Sequence, residues 1–254
     1  MTISHSDIAR QIVLVCHRLY EKGFVTATDG NVSARLPNGN ILTTRSSINK
    51  GRASESDLVE VKPDGTPVTL SMKPSTELGM HVFIYSRRPD VQAVVHAHPT
   101  YATGFAAARI PLNECVLPEV IVGLGAVPLA PYATPSTMEV AESLAPLVAN
   151  ADAILLANHG VVTYGSDLDD AYFKMEKVEH AAHITFVARM LGGEKPLSAS
   201  EVEKLRTISQ GTYGKNASAK PACEPEALDE GITEADLKRV IREILDRKKY
   251  PASS

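Results

Sequence analysis

The sequence predicts an α/β sandwich with a largely antiparallel sheet, and three observations carry that expectation. Two turn signals, Pro37-Asn38-Gly39 and Pro63-Asp64-Gly65, punctuate short alternating runs between Val25 and Val68, the pattern of hairpins or a meander. Helix-like and strand-like segments then alternate along most of the remaining chain, which adds helices to that sheet. With 254 residues and 44% apolar side chains, the chain is long enough to bury a sizeable core.

Taken in order, Ile8, Ile12, Val15, Cys16 and Leu19 recur at helical spacing, Ser6 or Asp7 supplies a cap and Gly23 a stop, so a packing helix is expected first. The runs Val32 to Arg35, Asn40 to Thr43 and Leu58 to Val61 follow as strands. A helix from about Glu77 to Ser86 precedes the strand that carries His96; then come a short helix, the run Val120 to Leu129, a helix from about Thr137 to Leu147, the strand leading to His159, and a long helix from about Leu168 to Leu191. No internal repeat is visible.

The texture changes after Tyr213. Residues 214–231 hold two prolines, four acidic residues and one large apolar side chain, Leu228, which is linker composition. In residues 232–250, Thr233 and Asp236 offer a capping-box-like start, and Leu237, Val240, Ile241, Ile244 and Leu245 form one apolar stripe opposite Lys238, Arg239, Arg242, Glu243 and Arg247, an amphipathic helix. Such a helix packs on its own or a neighbouring subunit, or docks to another protein.

Charge and cysteine content narrow the partners. A net charge of −4, a pI near 6.1 and no long basic block exclude an electrostatic footprint for nucleic acid. Arg10, Gln11, His17 and Arg18 interrupt the first helix, which excludes a signal-peptide core or membrane span there and favours a cytoplasmic protein. Cys16, Cys115 and Cys223 are odd in number and widely spaced, so neither a disulfide framework nor a thiolate metal cluster is expected, and Cys16 reads as core.

The chemistry concentrates in Ala93-Val94-Val95-His96-Ala97-His98-Pro99 and, 61 residues beyond His98, in Ala157-Asn158-His159-Gly160. Side chains alternate along an extended chain, so His96 and His98 share a face, and His159 arrives from a second buried strand as a third arm. Three imidazoles with one open position are the ligand pattern of a catalytic zinc ion. Alone, His-x-His also fits two partly exposed strand histidines.

A metal with an open position stabilises charge on substrate oxygens, and such chemistry needs a base to move protons. Glu77 is the candidate, in Met72-Lys73-Pro74-Ser75-Thr76-Glu77, where Ser75 or Thr76 caps the following helix and hydroxyls gather at its N-terminus. The bland alternative is a first-turn acid favoured by the helix dipole. Thr28-Asp29-Gly30-Asn31-Val32-Ser33 offers a backbone nest for an anion, and Arg45 and Ser46 add a guanidinium and a hydroxyl nearby. His17, His81, His180 and His183 are expected to be structural or surface residues, and His5 to lie in a disordered terminus.

The order Gly-Asn-Val-Ser, Pro-Ser-Thr-Glu, His-Ala-His, Ala-Pro-Tyr-Ala-Thr (Ala130 to Thr134) and Asn-His-Gly resembles the class II aldolase/adducin family, and within it the sugar-phosphate aldolases. The resemblance covers Ile8 to Gly214 and implies a three-layer α/β/α sandwich over residues 1–213. It implies a zinc-dependent carbon–carbon lyase that cleaves a ketose 1-phosphate, of L-fuculose or L-rhamnulose type, into dihydroxyacetone phosphate and an aldehyde such as lactaldehyde. By position, His96, His98 and His159 would hold Zn2+, with Glu77 as base and further ligand. Gly30, Asn31, Ser75 and Thr76 would belong to the phosphate pocket, and Tyr213 would help protonate the leaving aldehyde. The resemblance also implies a homotetramer with sites between subunits.

Two positions depart from that pattern. Arg45-Ser46 stands where the aldolases have Thr-Gly, and Leu117 lies near the position of a tyrosine. An arginine there would suit phosphate or a carboxylate, the latter fitting a decarboxylase or dehydratase of a sugar acid phosphate in the same family. The epimerase branch has aspartate where this chain has Glu77, and the non-catalytic adducin branch would not be expected to keep all four metal-site residues. The C-terminal segment resembles the encapsulation peptides of bacterial microcompartments, which implies a shell protein as partner for residues 232–250.

Overall fold

The computed structural model describes residues 4–212 together with Ala222 and Cys223. One seven-stranded sheet runs in the order β3-β2-β1-β4-β7-β6-β5. Its strands are β1 (Asn31–Arg35), β2 (Ile41–Thr44), β3 (Leu58–Val61), β4 (Ala93–Ala97), β5 (Leu129–Ala130), β6 (Ala153–Leu156) and β7 (Gly160–Gly165). Every pairing is antiparallel except β5 with β6. The helices are α1 (His5–Glu21), α2 (Leu78–Arg87), α3 (Thr100–Ala107), α4 (Pro118–Gly123), α5 (Met138–Leu144), α6 (Leu168–Met190) and α7 (Ala199–Thr212).

Alternation along the strands splits the core in two. Ala93, Val95 and Ala97 of β4 pack with residues of α1, α3 and α6, whereas Val94 packs with residues of α2 and α5 on the other face. This is the expected three-layer α/β/α sandwich. His96, two residues beyond Val94, therefore emerges on the face where α2 begins.

Several expectations need correction. Ser4, not Ser6 or Asp7, caps α1: its hydroxyl accepts from Asp7 N–H while the Asp7 carboxylate accepts from Ser4 N–H, because the box needs its acidic partner three residues on. His5, expected to be disordered, is the first residue of α1, with Nε2 3.7 Å from Glu60. The run from Val120 divides between α4 and the two-residue β5, and α7 was not foreseen.

Cys115 and Cys223 form a disulfide, against the expectation of none. The two are 108 residues apart in sequence and meet because α7 packs on α4, burying both cysteines with Ile121, Ala126 and Val202. Cys223 falls within the stretch expected to be flexible linker, yet it is buried. Cys16 is free and buried, as expected. Tyr213, the rest of residues 214–231 and the helix expected over 232–250 lie outside the described residues. Among the described residues no helix is long and apolar enough to cross a membrane.

Candidate metal centre and its surroundings

Strand β4 delivers His96, with no exposed surface, and the chain just beyond it delivers His98. His159 sits in the tight turn between β6 and β7, where its N–H donates to the Leu156 carbonyl at 3.0 Å. Asn158 before it adopts φ +56°, a left-handed conformation that asparagine tolerates better than most residues. Gly160 after it leaves no room for a side chain: a Cβ there would meet the Ala97 carbonyl oxygen at 2.6 Å and His98 Cδ2 at 2.5 Å. The Asn-His-Gly sequence is thus what lets a third imidazole join His96 and His98.

One nitrogen of each of the three imidazoles lies within 4.8 Å of the other two. His96 Nδ1 donates to the Val161 carbonyl at 2.9 Å, which turns the Nε2 lone pair inward, a backbone contact that fixes the tautomer of a metal-binding histidine. His96 Nε2 lies 3.1 Å from His98 Nε2 and 3.3 Å from Glu77 Oε2, and His159 Nε2 lies 3.0 Å from Glu77 Oε1. Ligand atoms arranged tetrahedrally at about 2.1 Å from a zinc ion sit about 3.4 Å from one another, so the spacing of these groups fits a divalent cation. Burial alone would push the Glu77 carboxyl up, but His96 and His159 against it hold it well below the usual carboxylate range. Burial, followed by the neighbouring His96 and His159 rings, lowers His98 to about 4.

Glu77 is the N-cap of α2 rather than a residue of its first turn. Ser75 Oγ accepts from Glu77 N–H at 3.3 Å, and the Ser75 N–H donates to the Thr44 carbonyl at 3.2 Å, so β2 and the start of α2 are tied together here. Asn31, 2% exposed, donates from Nδ2 to Glu77 Oε2 at 2.8 Å. Gly30 beside it has φ +72°, and a Cβ there would stand 2.8 Å from the His96 carbonyl oxygen. Only glycine fits between the turn and β4. A cavity of about 120 Å³ opens beside Glu77, lined on one side by Thr76, Gly79 and Met80 and on the other by Ser136, Thr137, Met138 and Val140.

Gly30, Asn31, Ser75, Thr76, Glu77 and the three histidines therefore gather at one edge. Ser46 lies close in the chain to that edge, its N–H held by the Lys73 carbonyl at 3.0 Å. Arg45 does not present a free charge there: its Nε pairs with Asp57 at 2.8 Å and a terminal nitrogen donates to the Ser46 carbonyl at 3.2 Å. Leu117 is the N-cap of α4 and packs against the larger core.

Two neighbours of the site escaped the sequence reading. Lys50 is 1% exposed and makes no ion pair among the described residues. Its ammonium donates to the carbonyls of Thr28 at 3.1 Å and Ile48 at 2.8 Å, strapping the loop before Gly30 to the loop after Ser46, and burial pushes its pKa down. Asn49 adds a second strap, to the Ala27 carbonyl at 2.8 Å. The other is His81, expected to be structural, which touches Asn31 directly.

Residues 10–186 match the family described as Class II Aldolase and Adducin N-terminal domain. This chain belongs to that family. Among its relatives, 3-oxo-tetronate 4-phosphate decarboxylase of Escherichia coli K12 is 33% identical over 79% of this chain and 96% of the relative. An L-fuculose phosphate aldolase of Methanococcus maripaludis strain C5 is 34% identical over 71% of this chain and 96% of the relative. A solved structure of L-fuculose 1-phosphate aldolase superposes with a TM-score of 0.74 at 33% identity, covering 80% of this chain and 96% of the other. Class II aldolases are metal-dependent, and the histidine triad is the group among the described residues of this family member that could hold the metal.

Proposed function

We propose that this class II aldolase family protein is a zinc-dependent carbon–carbon lyase acting on a small phosphorylated sugar, with aldol cleavage of a ketose 1-phosphate of L-fuculose or L-rhamnulose type as its reaction. The observation that carries this reading is Glu77, whose two carboxylate oxygens lie 3.0 and 3.3 Å from the nitrogens of His159 and His96. A base held against a metal triad suits the removal or return of one proton at a carbon next to a carbonyl.

His96, His98 and His159 would hold the ion, with Glu77 as a further ligand until substrate arrives. A divalent cation supplies an electrostatic sink for the negative charge that develops on adjacent substrate oxygens when the carbon–carbon bond breaks. Glu77 then carries the proton at the substrate carbon, Asn31 orients that carboxylate, and the loops at Gly30 and Asn31, at Ser46, and at Ser75 and Thr76 anchor the phosphate. Tyr213 would serve the leaving aldehyde. Met138, whose side chain is exposed, lines the cavity beside Glu77, where a neighbouring subunit of a homotetramer would close the site.

A second reading, decarboxylation of a sugar acid phosphate, is favoured by the longer alignment with the decarboxylase, 208 residues against 180 for the aldolase. Loss of carbon dioxide from 3-oxo-tetronate 4-phosphate leaves dihydroxyacetone phosphate, the same fragment that aldol cleavage releases. The purified protein should be offered L-fuculose 1-phosphate, L-rhamnulose 1-phosphate and 3-oxo-tetronate 4-phosphate, with and without chelator. Chelator-sensitive release of dihydroxyacetone phosphate with an aldehyde supports the aldolase; release with carbon dioxide supports the decarboxylase; no release from any of the three sinks both.

Residues 232–250 fit an encapsulation peptide, which would bring the whole enzyme from the cytoplasm into a microcompartment shell. Deleting residues 224–254 spares Cys223. That deletion should leave soluble catalysis intact, and loss of the oligomer would favour a packing helix instead.

A further inference from the structure

Behind Glu77 runs a chain of buried polar groups that leads away from the cavity. Asn31 Nδ2 meets Glu77 Oε2 at 2.8 Å, Asn31 Oδ1 meets His81 Nε2, His81 Nδ1 meets Ser33 Oγ at 2.7 Å, and Ser33 Oγ meets the Tyr85 hydroxyl at 2.9 Å. Asn31 is 2% exposed, Ser33 0%, His81 1% and Tyr85 3%, so no group has water as an alternative partner.

The direction of every link is forced from the Glu77 end. An ionised carboxylate only accepts, so Asn31 must turn its NH2 toward Glu77 and its carbonyl oxygen toward His81. His81 must then donate from Nε2, and a neutral imidazole has one N–H, so Nδ1 accepts from the Ser33 hydroxyl. Ser33 has by then given its only proton, and Tyr85 must donate to it. Burial keeps the His81 ring neutral at ordinary pH. The elements explain the convergence: Asn31 and Ser33 alternate on one face of β1, and His81 and Tyr85 lie one turn apart on α2.

We propose that His81 is a positioning residue for the metal centre, holding the Asn31 amide in the one orientation that donates to Glu77. This rests on the reading of Glu77 as a member of that centre. With the link cut, the Asn31 amide is free to rotate; the rotated form sets its carbonyl oxygen against the Glu77 carboxylate and drives that carboxylate from its place beside His96 and His159. Outer-shell partners of this kind typically change metal affinity or activity about 10- to 100-fold.

The test is a double-mutant cycle on affinity for Zn2+ alone, measured by competition with a chelating indicator, for the wild type, His81→Phe, Asn31→Ala and the pair. His81→Phe should weaken binding about 10- to 100-fold, His81→Gln, which keeps a donor and an acceptor, should restore most of it, and His81→Phe should cost nothing further on top of Asn31→Ala. Equal losses in both backgrounds would overturn the proposal, since a merely structural histidine acts whether or not Asn31 has an amide. Nitrogen-15 NMR of the metal-free wild type needs no variant to fold: an Nε2–H tautomer at His81 supports the proposal, and an Nδ1–H tautomer overturns it. A wild type that binds no Zn2+ overturns the metal reading itself, an outcome distinct from a wild type that binds it with an additive cycle.

Discussion

At the scale of single residues, Glu77 and Gly30 make separable demands. Glu77→Gln keeps the shape of the side chain but cannot take a proton, so turnover should fall by about 10²- to 10⁴-fold with the fold intact, read by kcat beside an unchanged circular-dichroism spectrum. A variant as active as wild type would remove Glu77 from the chemistry. Gly30→Ala adds a Cβ 2.8 Å from the His96 carbonyl oxygen at φ +72°, and should destabilise by roughly 1–3 kcal/mol, measured by urea unfolding. The histidines were legible because a two-residue period and apolar lead-ins single out His96 and His98, and a second buried strand leads to His159. His81 and Lys50 were not legible: His81 fits the helical spacing of the core residues Met80, Ile84 and Tyr85, and a buried lysine whose partners are backbone carbonyls has no signature in residue order. Arg45 shows the converse limit, since its partner Asp57 was twelve residues away in an unremarked turn.

Helices and strands set how the site responds to acid and to reduction. His81 is lowered to about 3 and His98 to about 4 by burial above all, whereas an unfolded imidazole titrates near 6.5. Between pH 6.5 and about 4 the unfolded chain therefore binds protons that the folded one refuses, and stability falls as pH falls. The metal-free protein should lose about 1.4 kcal/mol per pH unit for each ring across that window, seen as a falling midpoint in urea; a midpoint constant from pH 7 to pH 4.5 would contradict the burial of both rings. The disulfide closes a long loop from the segment just before α4 to the chain beyond α7, worth about 2–4 kcal/mol. Denatured, unreduced protein should expose one reactive thiol, Cys16, and after reduction three; three at the outset would contradict the bond. Antiparallel hairpins were legible from the proline–glycine turns, because turn chemistry is local. The pairing of Cys115 with Cys223 was not, because only the packing of α7 on α4 brings together residues 108 apart.

For the whole molecule, the three-layer sandwich places two strands, one turn and one helix start around a single point, and the family match over residues 10–186 covers all of them. The order of elements announced an α/β sandwich with a largely antiparallel sheet, and the five short motifs implied its three layers through their resemblance to the class II aldolase/adducin family. What they leave open is which bond the site breaks. Both candidate reactions release the same three-carbon phosphate, and both require a proton to pass between Glu77 and its hydroxymethyl carbon. The most direct test is therefore the half-reaction: dihydroxyacetone phosphate is incubated with the zinc-loaded protein in heavy water and loss of the C3 proton signal is followed by NMR. Stereospecific exchange of one proton, abolished by chelator and by Glu77→Gln, is the predicted result. No exchange by the zinc-loaded wild type would contradict the assignment of Glu77 and the three histidines as a carbon–carbon lyase centre.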